Sequence, residues 1–124
     1  MNSRTTISIA AALGILAVGL GAFGAHALKP MLIESGKLDA YQTAVAYHFY
    51  HIFALLATGI LMNSNSDTKL RYASICFFTG ILLFSGSLYA ICLLDVKAIG
   101  MVTPVGGLFF MAGWLFLLIG ALKK

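Results

Sequence analysis

Three histidines are the residues of this chain whose type and spacing are best suited to chemistry. His48 and His51 are three positions apart, so they share a face if their segment is helical. His26 ends an earlier apolar segment and reaches a similar depth if the two segments pack antiparallel. Three imidazoles are enough to bind Zn or Cu, and an imidazole titrates near neutral pH. A metal or haem site, or a proton-linked site, therefore stands beside the simpler hypothesis that these rings form hydrogen bonds between helices.

The His-x-x-His pattern is a loose one, and no Asp, Glu or Cys stands near these histidines in sequence to complete a familiar ligand set. We therefore predict no bound metal and no other cofactor, and keep His26, His48 and His51 as the alternative ligands. Further polar residues are expected on the same, outward side of the membrane, where they would border a cavity open to the outside. The complete candidate polar cluster consists of His26, Gln42, His48, His51, Ser85, Ser87 and Thr103.

The elements that must position these residues follow from composition. Of 124 residues, 60% are hydrophobic and 10% are charged, against about 45–50% and about 25% in soluble domains. A helix that spans a bilayer takes about 20 apolar residues. The hydropathy pattern predicts four such helices, over residues 6–28, 43–62, 72–94 and 104–122. We therefore predict an all-α membrane protein, with residues 1–124 forming a single domain built as an antiparallel four-helix bundle.

Local signals predict where these helices begin and end. Pro30 is expected to end the first span, because proline cannot continue a helix interior. Residues 31–42 are expected to form a loop with a short amphipathic helix at the interface. Thr103 is expected to cap the fourth span, with Pro104 in its first turn. The basic start and small residues near His26 resemble a secretory signal peptide, but the apolar run is too long for one, so we expect the first span to be retained.

Small residues are expected where helices approach closely, because association in lipid depends on close packing. In the first span they recur three or four residues apart and form one stripe. The predicted packing positions are Gly14, Ala17, Gly21, Gly24, Gly86, Gly106 and Gly107.

The net charge is +4, from eight Lys and Arg against four acids. The basic residues lie at the ends of apolar runs and form no patch with aromatics, so we predict no nucleic-acid partner. Their distribution favours both termini in the cytoplasm and contact with lipid headgroups.

Hydrolytic or transfer chemistry has no support in the sequence, because no carboxylate lies within a predicted span. We therefore predict a protein that is not an enzyme: a small helix bundle that acts as a transport, channel or partner-binding subunit. Its partners would be the lipid bilayer together with further copies of itself or another membrane protein. The alternative is a metal-binding, haem-binding or proton-linked membrane protein that uses the three histidines.

Several separate motifs resemble a known family. They are Gly21–Leu28, Tyr41–Ala44 with His48 and His51, Gly80–Tyr89, Thr103–Gly107 and Ala112–Trp114. In this order, over nearly the full chain, they resemble the family catalogued as domain of unknown function 423. The resemblance implies a small, multi-pass protein of the bacterial inner membrane, with four helices and a retained first segment. It implies no established activity and no catalytic residues.

Overall fold

The computed structural model describes residues 1–123; Lys124, which the charge count above includes, lies outside the described residues. The described chain is helical, as predicted. A π-helical turn, Ile81–Ser85, joins the fourth and fifth α-helices, and a 3-10 helix, Lys97–Met101, precedes the last one. The six α-helices are α1 Ser3–Ala25, α2 Lys29–Glu34, α3 Leu38–Leu61, α4 Thr68–Gly80, α5 Gly86–Leu94 and α6 Val102–Leu122.

Within residues 1–123, four helical segments are long and apolar enough to cross a membrane, which confirms the number of spans predicted. They cover Ser3–Ala25, Leu38–Leu61, Thr68–Leu94 and Lys97–Leu122. The second span starts earlier than predicted, because its polar first turn is helical as well. The Asn2 side chain caps α1 by accepting a hydrogen bond from the Thr5 N–H, so this helix also begins early.

Two boundary predictions are wrong for a physical reason. Pro30 does not end the first span: α1 ends at Ala25, and Pro30 lies in the first turn of α2, where no N–H is needed. Thr103 does not cap the fourth span. The helix α6 already begins at Val102, and the Thr103 hydroxyl forms a hydrogen bond with Ser87 across the interface with α5.

Consecutive long helices pack as antiparallel neighbours. At the start of α1, the Ser3 hydroxyl donates to the Gly59 carbonyl near the end of α3, at 2.7 Å. The helix α3 packs in turn on α4 and α5, and these pack on α6. The largest buried cluster draws on all four spans; it includes Leu13, Leu55, Phe77 and Phe110.

The two ends of the molecule differ in charge. At one end lie the start of α1, the α3–α4 turn and the end of α6, where the Asn65 amide donates to the Gly120 carbonyl at 3.1 Å. We call it the basic end, because Arg4, Lys69, Arg71 and Lys123 belong to it. The opposite end, the α2 end, carries α2 and the 3-10 helix.

Gly106, one of the predicted packing positions, packs directly against the backbone of the π-helical turn. A Cβ atom there would overlap the backbone of Phe84, with the Phe84 Cα only 2.7 Å away. Gly24 is also required, because a Cβ atom there would lie 2.8 Å from Cδ1 of the Tyr41 ring. Only a residue without a side chain permits either contact.

The other predicted packing positions differ in how closely a neighbouring helix approaches them. Ala17 is fully buried between α1 and α3. Gly21 and Gly107 make ordinary contacts, with Val45 and Phe84 respectively. The close approach expected at Gly14 and Gly86 is not found, because no neighbouring side chain among the described residues comes near them. The stripe of small residues is thus wider than the face of α1 that meets α3. Four tight positions escaped prediction: Gly59, Gly80, Gly113 and Gly120.

Candidate functional site

His51 lies at the centre of an aromatic cluster between α3 and α6. Its ring is buried and stacks on Phe110, with ring centroids 3.5 Å apart and planes 7° from parallel. Its Nδ1 lies 2.8 Å from the Tyr47 carbonyl oxygen, one turn earlier in α3. On the other side of the ring, the Trp114 indole N–H donates to His51 Nε2 at 3.1 Å.

These two hydrogen bonds define the tautomer and the charge of the His51 imidazole. A carbonyl oxygen only accepts and an indole N–H only donates. The neutral ring with its proton on Nδ1 therefore satisfies both neighbours at once. A metal ion or a second proton on Nε2 would have to displace Trp114. This geometry assigns His51 to holding α3 and α6 together and disfavours it as a ligand or proton carrier.

The same aromatic side chains border an open groove of about 470 Å³. We call it the α3–α6 groove; its walls include Tyr47, Phe84, Gly107, Phe110, Met111 and Trp114. The groove exists because α3 and α6 contact each other little and are joined mainly through α4 and the π-helical turn. Trp114 is 47% exposed, although its N–H is already bound. The groove therefore presents aromatic, largely apolar walls at the surface of the protein.

His48 faces a different side of α3. Its Nδ1 forms a hydrogen bond of 2.9 Å with the Tyr89 hydroxyl of α5. Its Nε2 is buried and lacks a hydrogen-bond partner within residues 1–123. The backbone of Leu13 in α1 lies near this ring, but its position does not meet the geometry of a hydrogen bond. His48 thus connects α3 to α5 while leaving one polar atom unsatisfied.

The three histidines do not converge. His26 caps the end of α1 and its side chain is exposed, while His48 and His51 bond to different helices. No group of three or more His, Cys, Asp or Glu side chains in the described part of the chain could hold a metal ion. The alternative hypothesis of a three-histidine site is therefore not supported.

The remaining members of the predicted polar cluster form separate pairs between helices. The Ser85 hydroxyl donates to the Ala44 carbonyl at 2.8 Å and joins the π-helical turn to α3. Ser87 bonds with Thr103 and joins α5 to α6. The side chain of Gln42 is exposed. The predicted cavity that gathers all these groups is replaced by local pairs, because each hydroxyl finds a partner on the nearest helix.

Tyr41, Tyr89 and Trp114 also form hydrogen bonds between helices, and none of them is among the predicted site residues. Tyr41 is fully buried, and its hydroxyl donates to the Leu20 carbonyl of α1. The Tyr41 and Tyr89 rings meet edge to face, with centroids 5.5 Å apart. Trp114 carried a usable signal: an indole N–H in the middle of an apolar span needs an acceptor.

The α2 end is held by one ion pair outside the spans. Lys37 Nζ lies 2.5 Å from Asp95 Oδ1 and also donates to the Ile91 carbonyl. Asp95 ends α5 in the left-handed conformation, with φ of 54°. The hydrogen bond from Lys37, together with its positive charge, lowers the pKa of the Asp95 carboxyl.

Comparison with known proteins gives a consistent family match. The family model described as "Protein of unknown function (DUF423)" matches residues 20–107. A UPF0382 membrane protein of Staphylococcus saprophyticus is 41% identical over 120 residues, covering 97% of this chain and 98% of that protein. The UPF0382 inner membrane protein YgdD of Escherichia coli K12 is 38% identical over 125 residues, covering 99% of this chain and 93% of that protein. No solved structure matches the chain.

Proposed function

Because the chain belongs to the DUF423 family of proteins of unknown function, we propose that it is a multi-pass protein of the bacterial inner membrane. Its four spans form an antiparallel bundle with both termini in the cytoplasm. The start of α1 and the end of α6 both lie at the basic end, and cytoplasmic segments carry an excess of Lys and Arg, which supports this orientation. The Escherichia coli relative is named an inner membrane protein.

We propose that the molecular function is non-enzymatic: the α3–α6 groove binds a transmembrane helix of a partner membrane protein. The observation that carries this proposal is the aromatic lining of the groove, whose rings are held by stacking and hydrogen bonding. His51 is stacked on Phe110 and bonded to Trp114, so the two walls are held before any partner arrives. Binding surfaces fixed in advance lose less conformational entropy on association. Trp and Tyr side chains are also the ones that most often dominate interface energies.

A helix fits this groove better than a polar substrate does. The wall of the groove contains Gly107, whose missing side chain allows another backbone to approach closely. Ser85, Ser87 and His51 are each engaged in a hydrogen bond to another helix, which argues against an open polar path. The hydroxyl of Tyr47 forms no hydrogen bond with the described residues, so it can bond to a polar group of the partner helix.

The test is photocrosslinking in native membranes. A photoreactive residue replaces Met111, which is 69% exposed at the groove, or Leu16, which is 56% exposed on α1 and serves as the matched control. We expect Met111 to give a discrete adduct whose crosslinked peptide, identified by mass spectrometry, belongs to a transmembrane helix. The control position should not give that adduct.

A second substitution makes this test specific. Gly107→Leu fills the groove, and we expect it to remove the adduct at position 111 while the protein still inserts and folds. Adducts to lipid alone, or the same adducts from positions 111 and 16, would overturn the proposal.

A further inference from the structure

A second groove lies at the α2 end, between the last turns of α1 and the first turns of α3. We call it the α1–α3 groove; it is bordered by Gly21, Ala25, Lys29, Gln42, Val45 and Ala46 and has a volume of about 300 Å³. It is separate from the α3–α6 groove, with which it shares no residue. Its floor is apolar and its mouth is polar.

Tyr41 closes the inner wall of this groove, and small residues leave the rest of it open. The Tyr41 ring fills the space beside Gly24, and its hydroxyl is bonded to the Leu20 carbonyl. The ring therefore closes the inner wall and offers no free polar group. Farther along the floor, Gly21 and Ala46 are too small to fill the space between the helices.

The free polar groups at this groove are at its mouth. Lys29 forms no ion pair and Gln42 no side-chain hydrogen bond with any residue that the structure describes. Both stand where a span meets the interface: Lys29 follows the end of α1, and Gln42 is in the second turn of α3. The adjoining α2 exposes Met31 and Ile33 while burying Leu32, as expected of a short helix at the membrane surface.

We propose that the α1–α3 groove binds one phospholipid. The Lys29 ammonium and the Gln42 amide hold the headgroup phosphate, and one acyl chain lies along Gly21, Val45 and Ala46. An unpaired cation at headgroup level attracts anionic lipid in particular, so the favoured ligand carries a net negative charge, as phosphatidylglycerol does. A free transmembrane helix does not match this combination of a charged mouth and a narrow apolar floor.

The experiment uses the full-length protein in lipid nanodiscs that contain equal amounts of phosphatidylglycerol and phosphatidylcholine. Native mass spectrometry then counts the lipids retained after release from the disc. We expect one retained phosphatidylglycerol on the wild-type protein. Lys29→Gln should lower the ratio of the bound to the free form by about fivefold, which matches the attraction of one basic residue near an anionic surface.

Two further variants separate a site from general charge attraction. Lys97→Gln removes another exposed lysine of the same end and should retain the lipid. Ala25→Leu blocks the mouth of the groove at an exposed position and should release the lipid without disturbing the fold. The proposal is overturned if the wild type retains no lipid, if it retains both lipids equally, or if Lys29→Gln and Lys97→Gln have the same effect.

Discussion

His48 and His51 stand one turn apart on α3, and the regions around them differ in how completely polar groups are paired. On the α6 side, both nitrogens of His51 have partners and the ring is stacked on Phe110. On the α1 side, His48 has one partner, and its second nitrogen is buried without one. Identical residue types thus take different roles, because each helix neighbour offers different donors and acceptors.

The close contacts at glycine residues also differ between the α6 side and the α1 side. On the α6 side, Gly106 brings α6 against the backbone of Phe84. On the α1 side, Gly21 faces Val45 and Phe49 at ordinary distances, and Gly14 faces open space. The tightest contact on the α6 side is therefore made with a backbone, whereas the tight positions on the α1 side, Gly24 and Gly59, mainly meet side chains, and Gly14 and Gly21 retain room. This difference predicts how the two halves respond to the same substitution.

The largest effect is expected for Gly106→Ala. The added methyl group overlaps the Phe84 backbone, which cannot move without separating α6 from the π-helical turn. We expect the free energy of unfolding to fall by about 3 kcal/mol, the upper end for overpacked cores. Denaturation of the purified protein in detergent micelles measures it. The matched Gly21→Ala variant should stay within about 1 kcal/mol of the wild type, since alanine is the better helix former.

The next largest effect is expected for His51→Ala. This change removes the acceptor of the Trp114 N–H and the ring stacked on Phe110, so we expect a loss of about 2 kcal/mol. Trp114 is the only tryptophan, so its fluorescence reports on this contact directly. The emission should change in His51→Ala and not in the exposed-site control His26→Ala. An unchanged spectrum would show that the hydrogen bond to Trp114 does not form.

A smaller effect is expected for His48→Phe. The hydrogen bond to Tyr89 is lost, which is worth about 0.6 kcal/mol within a membrane. The buried His48 nitrogen without a partner disappears at the same time, which offsets the Tyr89 hydroxyl left without its partner, and an aromatic ring keeps the packing. We expect the unfolding free energy to change by less than about 1 kcal/mol in the same denaturation assay. If His48→Phe proved more destabilising than His51→Ala, the contrast between the two halves would be wrong.

The smallest effect is expected at the Lys37–Asp95 ion pair, because 71% of the Asp95 side chain is exposed. Its pKa in the folded protein lies below the ordinary value of 3.8. The pair therefore stabilises the fold above pH 3.8, and this contribution is lost as the pH falls through the lowered pKa.

Asp95→Asn tests this pH dependence, since asparagine also tolerates the left-handed conformation. We expect the midpoint of thermal unfolding to depend less on pH below pH 4 in the variant than in the wild type. The same acid dependence in both proteins would exclude the ion pair as its source. Glu34→Gln, which changes an exposed carboxyl of α2, is the matched control.

Much of the fold was predictable, because the hydropathy of a segment depends only on its own residues. The chain has runs of apolar residues long enough for four spans, and all four helices are present. The errors came from residues whose role depends on a neighbour. Pro30 is a helix breaker in one setting and a first-turn residue in another. Thr103 has the side chain of a cap, but Ser87 lies close enough to bind its hydroxyl.

The sequence by itself determined four apolar helices, the charge difference between the ends and the family. The helices were predictable because the free energy of transfer from water to lipid is a sum over the residues of a segment. Only the tertiary structure decided which face of each helix meets which neighbour. That choice separated His48 from His51 and left His26 exposed at the end of α1. The reason is that hydrogen bonds and close packing are directional: they depend on the rotation and register of two helices together, and residue spacing within one helix contains neither.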